Sequence, residues 1–307
     1  MTDSQLKKSQ LIHFIGVGAM GAPMAQRLLE GGHQVRVYDS NRQRIEKFSA
    51  QHGKHTALTP DQLGTDADFV VMILPNSGVV QEVLFGQNGL SNRLKKNAFV
   101  VDMTSGQPEM TLTMGTRLEA LGVHLIDAPV SGAVPRAQNG TLTIMTGGEP
   151  VWIEQAEPVL SLMGTVTRTG ALGSGHAMKA LNNLVSCAGY LIGIEALIIG
   201  SKFGLDPEVM VDVLNSSTGM NNSTQKKFKQ YVLNRKFDSG FPLHMMVKDI
   251  AIAMGLARNM GVPAPFGHLC LDMWNGAKGV LGPNVDHTEV ARLSEILAGW
   301  EIPESLN

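Results

Sequence analysis

The sequence predicts an α/β protein in two parts: a doubly wound, mostly parallel sheet domain over residues 1–172 and an all-helical domain over 173–307, joined by a long helix. Three observations carry this prediction. Short β-branched runs alternate with amphipathic stretches from residue 11 to about 170. Strand signals stop after Gly173. The 307 residues suffice for two cores at roughly 100–200 residues per domain.

The runs are LIHFIGVG, QVRVYD, DFVVMILP, AFVVDMT, HLIDAPV and LTIMTGG. Nearly continuous apolar strands between helical segments imply parallel strands covered on both faces, and the last two runs are expected to join as a mixed edge. Beyond ALGSG at 171–175 an apolar run opens with GHAMKALNN. It is followed by DPEVMVDVLNSS, NSTQKKFKQYVLN, LHMMVKDIAIAMGLARNMG and PFGHLCLDMWNGAKG, all with helical spacing. Asp206 ahead of Pro207 marks a helix start, and Gly261 followed by Pro263 marks a stop. The run at 184–200 contains Glu195 and falls short of the about twenty residues that span a membrane, so a buried helix is expected.

Hydrophobic content of 43%, charged content of 17% and a net charge of −2 carry no electrostatic bias towards nucleic acid or an anionic membrane. A small molecule is the expected partner, and no residue pattern is assigned to a metal. The polar start MTDSQLKKSQ lacks the apolar core of a secretory signal, which points to the cytoplasm. Cys187 and Cys270, far apart in apolar surroundings, are expected as buried reduced thiols.

The stretch FIGVGAMGAPMAQRLL sets Gly16-x-Gly18-x-x-Gly21 directly after a strand and at the opening of a helix. One glycine makes the tight turn, the next lets the backbone approach a pyrophosphate, and the third allows close helix–strand packing with the helix N-terminus facing the anion. Strand, turn and helix together predict a Rossmann-type dinucleotide-binding domain. Asp39 ends QVRVYD about twenty residues on, where a carboxylate accepts hydrogen bonds from the adenosine ribose and repels a 2′-phosphate. NAD is therefore expected, with NADP possible because Arg42 stands nearby; the alternative role for Asp39 is capping the helix that starts near Asn41. Leu74-Pro75 and Asp102-Met-Thr-Ser fall at carboxyl ends of strands, where ligands bind in open α/β sheets and where ordinary turns also occur.

In the segment DAPVSGAVPRAQNGTLTIMTGG, at 127–148, Ser131 and the backbone at Gly132 are placed either to donate to a substrate carboxylate or simply within a flexible hairpin loop. On a helix, Asn182 and Asn183 lie three and four residues beyond Lys179 and share its face. That face carries either a lysine able to move a proton in a shielded site or a snorkelling lysine among capping amides.

Taken together, GxGxMGxPMA, DAPVSG…GTL, GxxxKxxNN and the Lys248-Asp249 pair resemble the β-hydroxyacid dehydrogenases over nearly the whole chain. The resemblance implies reversible NAD(P)-dependent oxidation of a 3-hydroxy acid to its aldehyde or ketone, as in the 3-hydroxyisobutyrate dehydrogenase and tartronate semialdehyde reductase branches. It implies Lys179 as the proton-transferring lysine, Ser131 and Gly132 as binders of the carboxylate, and Asn183, with Asn182, as the group orienting substrate and lysine. Gly16, Gly18, Met20, Gly21, Asp39, Leu74, Pro75, Thr104 or Ser105, and Lys248 are then the cofactor contacts.

Some positions depart from the family pattern. Its usual Ser-Gly-Gly is Ser131-Gly132-Ala133 here, and a common Gly-Ala is Arg136-Ala137, nearer the tartronate semialdehyde reductases; ILPNSGVVQEVLFGQNG also looks like that branch. Arg136 either meets a second polar group of the substrate or faces solvent. The segment SSTGMNNSTQKKF lacks a tryptophan frequent near there in the hydroxyisobutyrate enzymes. Other readings are imine reduction on the same scaffold, whose members usually lack the lysine, and a non-catalytic dinucleotide-binding module. The apolar helical half suggests a homodimer or homotetramer.

Overall fold

Parallel strands with branched apolar residues on both sides need cover on both sides, and the chain supplies it. A computed structural model describes residues 9–304, so the reading of the polar start at residues 1–8 lies outside the described residues. Strands β1 (Leu11–Ile15), β2 (Gln34–Tyr38), β3 (Phe69–Met72), β4 (Phe99–Asp102), β5 (His124–Asp127), β6 (Val130–Ser131), β7 (Leu142–Gly147) and β8 (Gly164–Gly170) form one sheet. Its order is β2-β1-β3-β4-β5-β7-β6, with β8 on the free side of β7. The first five strands run parallel. β7 is antiparallel to β5 and β6 and parallel to β8, which makes the expected mixed edge.

Register sets the two cores. Val70 pairs with Val100 and Val71 with Val101, and because side chains alternate across a strand the two pairs face opposite ways. Val71 and Val101 join Ile12, Phe14 and Val37 under α1 (Gly21–Glu30), α2 (Arg42–His52), α5 (Ala133–Gln138) and α6 (Pro150–Leu160). Val70 and Val100 join Ile15 and Met72 under α3 (Ser77–Phe85) and α4 (Pro108–Glu119). The chain leaves β1 for β2 on one side and returns to β3 on the other, so the topological switch, where open α/β sheets hold ligands, lies between β1 and β3.

Contacts divide the chain after Lys179, inside α7 (Ser174–Phe203). The second unit holds α8 (Pro207–Asn215), α9 (Asn222–Lys226), α10 (Leu243–Asn259), α11 (Pro265–Leu281) and α12 (Val290–Ala298). Its core is built on Tyr190, Phe228 and Trp274, with the Tyr190 hydroxyl donating to the Thr288 carbonyl at 2.5 Å. Asp206 caps α8 as expected, accepting from the Glu208 and Val209 amides. Cys187 and Cys270 are buried and not joined in a disulfide, and burial pushes the Cys270 thiol up to about 11.

The structure departs from the sequence reading at four places. α7 has 30 residues and is long and apolar enough to cross a membrane by length and composition, so shortness does not separate the two readings. Burial does: Cys187, Tyr190, Leu191, Ile194 and Leu197 enter the helical core. The segment NSTQKKFKQYVLN is not one helix, because Lys227 leaves the helical region at φ −130° and the next turn, 228–232, closes in the wider π register, with the Leu233 amide donating to Phe228. The 127–148 loop contains β6 and α5. GTVTRTG forms an edge strand that its threonines hide from an apolar-run reading.

Candidate active site

The turn after β1 is closed by backbone. Gly16 has φ +96°, and a Cβ there would run into the Ile73 carbonyl oxygen; at Gly21 it would run into the Gly16 carbonyl. The turn thus touches the loop after β3 at the topological switch. Gly18 differs: the nearest atom a Cβ there would meet is Nη1 of Arg44, at 3.6 Å. Met20 is half-buried at the head of α1, where no side-chain hydrogen bond caps the helix and no acidic residue stands in the first turn. A helix start of this kind is ready for an anion.

Asp39 is buried beside this turn. Its Oδ2 accepts from the Val17 amide at 3.0 Å and its Oδ1 from the Asn41 amide at 2.8 Å, with Arg44 at 3.4 Å from Oδ2. The cap of α2 is Asn41, which accepts from Gln43, so the alternative of Asp39 as the helix cap does not hold. Arg42 pairs with Glu46, and Arg44, which sequence reasoning overlooked, is the arginine that reaches Asp39.

Leu74 and Thr104 come together: the Leu74 amide donates to the Thr104 hydroxyl at 3.0 Å. The Thr104 amide donates to Oδ1 of buried Asp102 at 3.0 Å, and the Gln107 amide to Ser77 Oγ at 2.7 Å. Pro75 is exposed and Ser105 half-buried on these same two loops. Burial pushes the Asp102 carboxyl above its ordinary range, against the pull of His176 and of the Thr104 hydrogen bonds.

Lys179 stands in the second turn of α7, half-buried. The head of that helix is held by Asp127, at the end of β5, whose carboxylate accepts from the Gly173 amide at 2.7 Å and from the His176 amide at 2.8 Å. One turn past Lys179, Asn183 is buried; its amide donates to Asp249 Oδ2 at 2.6 Å and accepts from Asn182 at 3.1 Å. Lys248 pairs with the other oxygen of Asp249 at 3.0 Å, so Asn182, Asn183, Lys248 and Asp249 form one polar chain in the helical unit.

Ser131 ends β6, and Gly132, at φ +140°, turns the chain into α5. The side chain of exposed Arg136 folds back over Gly132, where a Cβ would lie 2.7 Å from its Cδ.

Residues 11–173 match the family described as the NAD binding domain of 6-phosphogluconate dehydrogenase, and residues 173–294 the one described as NAD-binding of NADP-dependent 3-hydroxyisobutyrate dehydrogenase. The chain is 32% identical over 298 residues to the 2-(hydroxymethyl)glutarate dehydrogenase of Eubacterium barkeri, a match covering 97% of this chain and 99% of the relative. The chain belongs to the β-hydroxyacid dehydrogenase family. It is also similar to the 3-sulfolactaldehyde reductase of Escherichia coli, 31% identical over 94% of this chain and 97% of the relative. Among solved structures it resembles the 3-hydroxyisobutyrate dehydrogenase of Mycobacterium tuberculosis with L-serine, with a TM-score of 0.85 and 27% identity over 93% of this chain and 99% of that one.

As a β-hydroxyacid dehydrogenase the chain is an oxidoreductase that works with NAD(P). Its glycine turn fits a dinucleotide: Gly16 and Gly21 are closed by backbone while Gly18 stays accessible beside an uncapped helix start. Sequence reasoning overlooked Asp127 and His176 as site residues, although both lie inside motifs it singled out. Each acts through partners remote in the sequence, and spacing does not reveal those.

Proposed function

We propose that the chain interconverts a short 3-hydroxy acid and its aldehyde or keto form, with Lys179 as the group that moves the proton. The observation that supports this best is the treatment of the lysine's helix. Asp127 accepts from two amides at its head, and one turn beyond Lys179 the Asn183 amide is oriented by Asp249. A snorkelling lysine needs neither restraint. The names of the relatives support the substrate class, pairing a hydroxymethyl acid with a dehydrogenase and an aldehyde with a reductase, which are two directions of one exchange.

NAD(P) supplies the hydride acceptor or donor when bound. In oxidation Lys179 Nζ takes the hydroxyl proton as the carbon-bound hydrogen leaves as hydride; in reduction it returns that proton to the nascent alkoxide oxygen. The Ser131 hydroxyl and Gly132 amide donate to the substrate carboxylate, and Asn183, with Asn182, orients substrate and lysine. Gly16, Gly18, Met20, Gly21, Leu74, Pro75, Thr104, Ser105 and Lys248 line the dinucleotide. Asp39 at the ribose favours NAD over NADP, since its charge opposes a 2′-phosphate.

In this reading residues 1–172 hold the dinucleotide, while 173–307 complete the substrate side and carry self-association as a homodimer or homotetramer, in the cytoplasm. A steady-state assay over a panel of 3-hydroxy acids and their semialdehydes, run with both NADH and NADPH, tests it. Turnover of at least one member, with NADH preferred, is the expected result; a panel without turnover, in protein that binds dinucleotide, contradicts the reading.

A further inference from the structure

Three ionisable side chains, Asp102, Asp127 and His176, are wholly buried at the carboxyl ends of β4 and β5, and the proton transfer assigned to Lys179 uses none of them. His176 lies one helical turn before Lys179 on the same helix. Its backbone amide is held by Asp127, and its Nδ1 meets the Thr111 hydroxyl of α4 at 2.7 Å. Its Nε2 points towards Asp102 Oδ2 at 3.9 Å, and neither of these two buried atoms has a hydrogen-bond partner.

The ring also presses on the cofactor side. A Cβ at Gly106 would lie 2.8 Å from His176 Cε1 and 2.8 Å from Ser77 Oγ, so the loop after β4 rests on the imidazole. That loop is the one whose Thr104 takes the Leu74 amide and whose backbone is pinned by Asp102 and Ser77. His176 is therefore a side chain through which the loop after β4 meets the turn of α7 that precedes the lysine.

We propose that His176 is a positioning residue that ties the loop after β4 to the first turn of α7, linking the seating of the dinucleotide to the placement of Lys179. The Thr111 hydroxyl fixes the ring through Nδ1, Asp127 fixes the backbone beneath it, and Gly106 is the residue that lets the loop come down onto it. The effect on turnover rests on the lysine reading above; the effect on the dinucleotide rests on this geometry alone.

The test compares the parent with His176→Ala, His176→Gln and Thr111→Val, using NADH fluorescence for Kd, steady-state kinetics at 25 °C and thermal unfolding. A displacement of about 1 Å costs up to 100-fold in rate, so His176→Ala is expected to lose roughly 10- to 100-fold in kcat with substrate KM within about threefold. NADH Kd is expected to weaken roughly fivefold or more, with glutamine recovering most of both losses because it restores a polar partner for Thr111. Should the alanine variant fail to fold, Thr111→Val carries the test, with a weakened NADH Kd expected. A lower Tm with parental Kd and kcat makes the residue merely structural and overturns the proposal; so does an unchanged Kd, and, where Lys179→Ala is itself impaired, an unchanged kcat. A Lys179→Ala variant measured alongside separates the readings: parental kcat there sinks the lysine assignment, and the Kd result alone then judges the tie.

Discussion

At the scale of single residues, the groups that organise the site are acids whose partners are far away in the chain. Asp127 binds amides 46 and 49 residues on, and Asn183 meets Asp249 66 residues on. No local pattern reveals such pairs, which is why the sequence shows the glycine turn and the lysine face but not what restrains them. Gly21 is legible because its constraint is local: a Cβ there strikes the backbone of Gly16, five positions earlier. Asp127→Ala leaves two buried amides without an acceptor, each worth about 1–3 kcal/mol. A loss of roughly 2–6 kcal/mol in unfolding free energy, read from the urea midpoint at constant m, is the expected outcome. A loss within about 0.5 kcal/mol, the range of ordinary surface substitutions, would show that Asp127 does not hold the head of α7.

At the scale of elements, the pattern of apolar runs located the five parallel strands β1 to β5, the central β3 and β4 being buried on both faces. It overlooked β8, an edge strand whose residues are mostly half-exposed or exposed, and β6, which is only two residues long. It found α7 but not its full length. On that helix Val185, Ile192 and Ile199 stand seven residues apart and are 72%, 61% and 71% exposed, and Phe203 is 85% exposed. Residues seven apart lie on one side of a helix, and a row of exposed branched side chains there suits a partner surface. Sedimentation velocity is expected to show a dimer or tetramer for the parent and a lighter species for an Ile192→Glu, Ile199→Glu double variant of unchanged helix content. A monomeric parent would contradict the self-association reading.

For the molecule as a whole, two buried histidines make stability fall towards acid pH. Burial, then Arg36, lowers His13 to about 4, and burial, then Lys227, lowers His287 to about 3, against 6.5 for the free group. Above pH 6.5 both residues are neutral in folded and unfolded chains, so their contribution is complete. As pH falls from 6.5 towards 4 the unfolded chain binds protons that the folded chain refuses, and stability drops until the folded values are reached. At pH 5 the loss is about 2 kcal/mol per histidine, one pKa unit being about 1.4 kcal/mol. Urea unfolding at pH 7.5 and pH 5 reads it directly, and His13→Gln is expected to flatten part of the slope. A parent equally stable at both values would contradict the neutral, buried state of these rings.

Whether Lys179 moves the proton is decided by single-turnover reduction of the best aldehyde from the panel by NADH, with parent and Lys179→Ala compared and NADH Kd measured on the same samples. If Lys179 is the proton donor, the rate of the chemical step falls by about 10² to 10⁴, the usual loss for a missing general acid, with Kd unchanged. A variant that reduces the aldehyde within about threefold of the parental rate would contradict it, since removing a proton-transfer group costs far more than that.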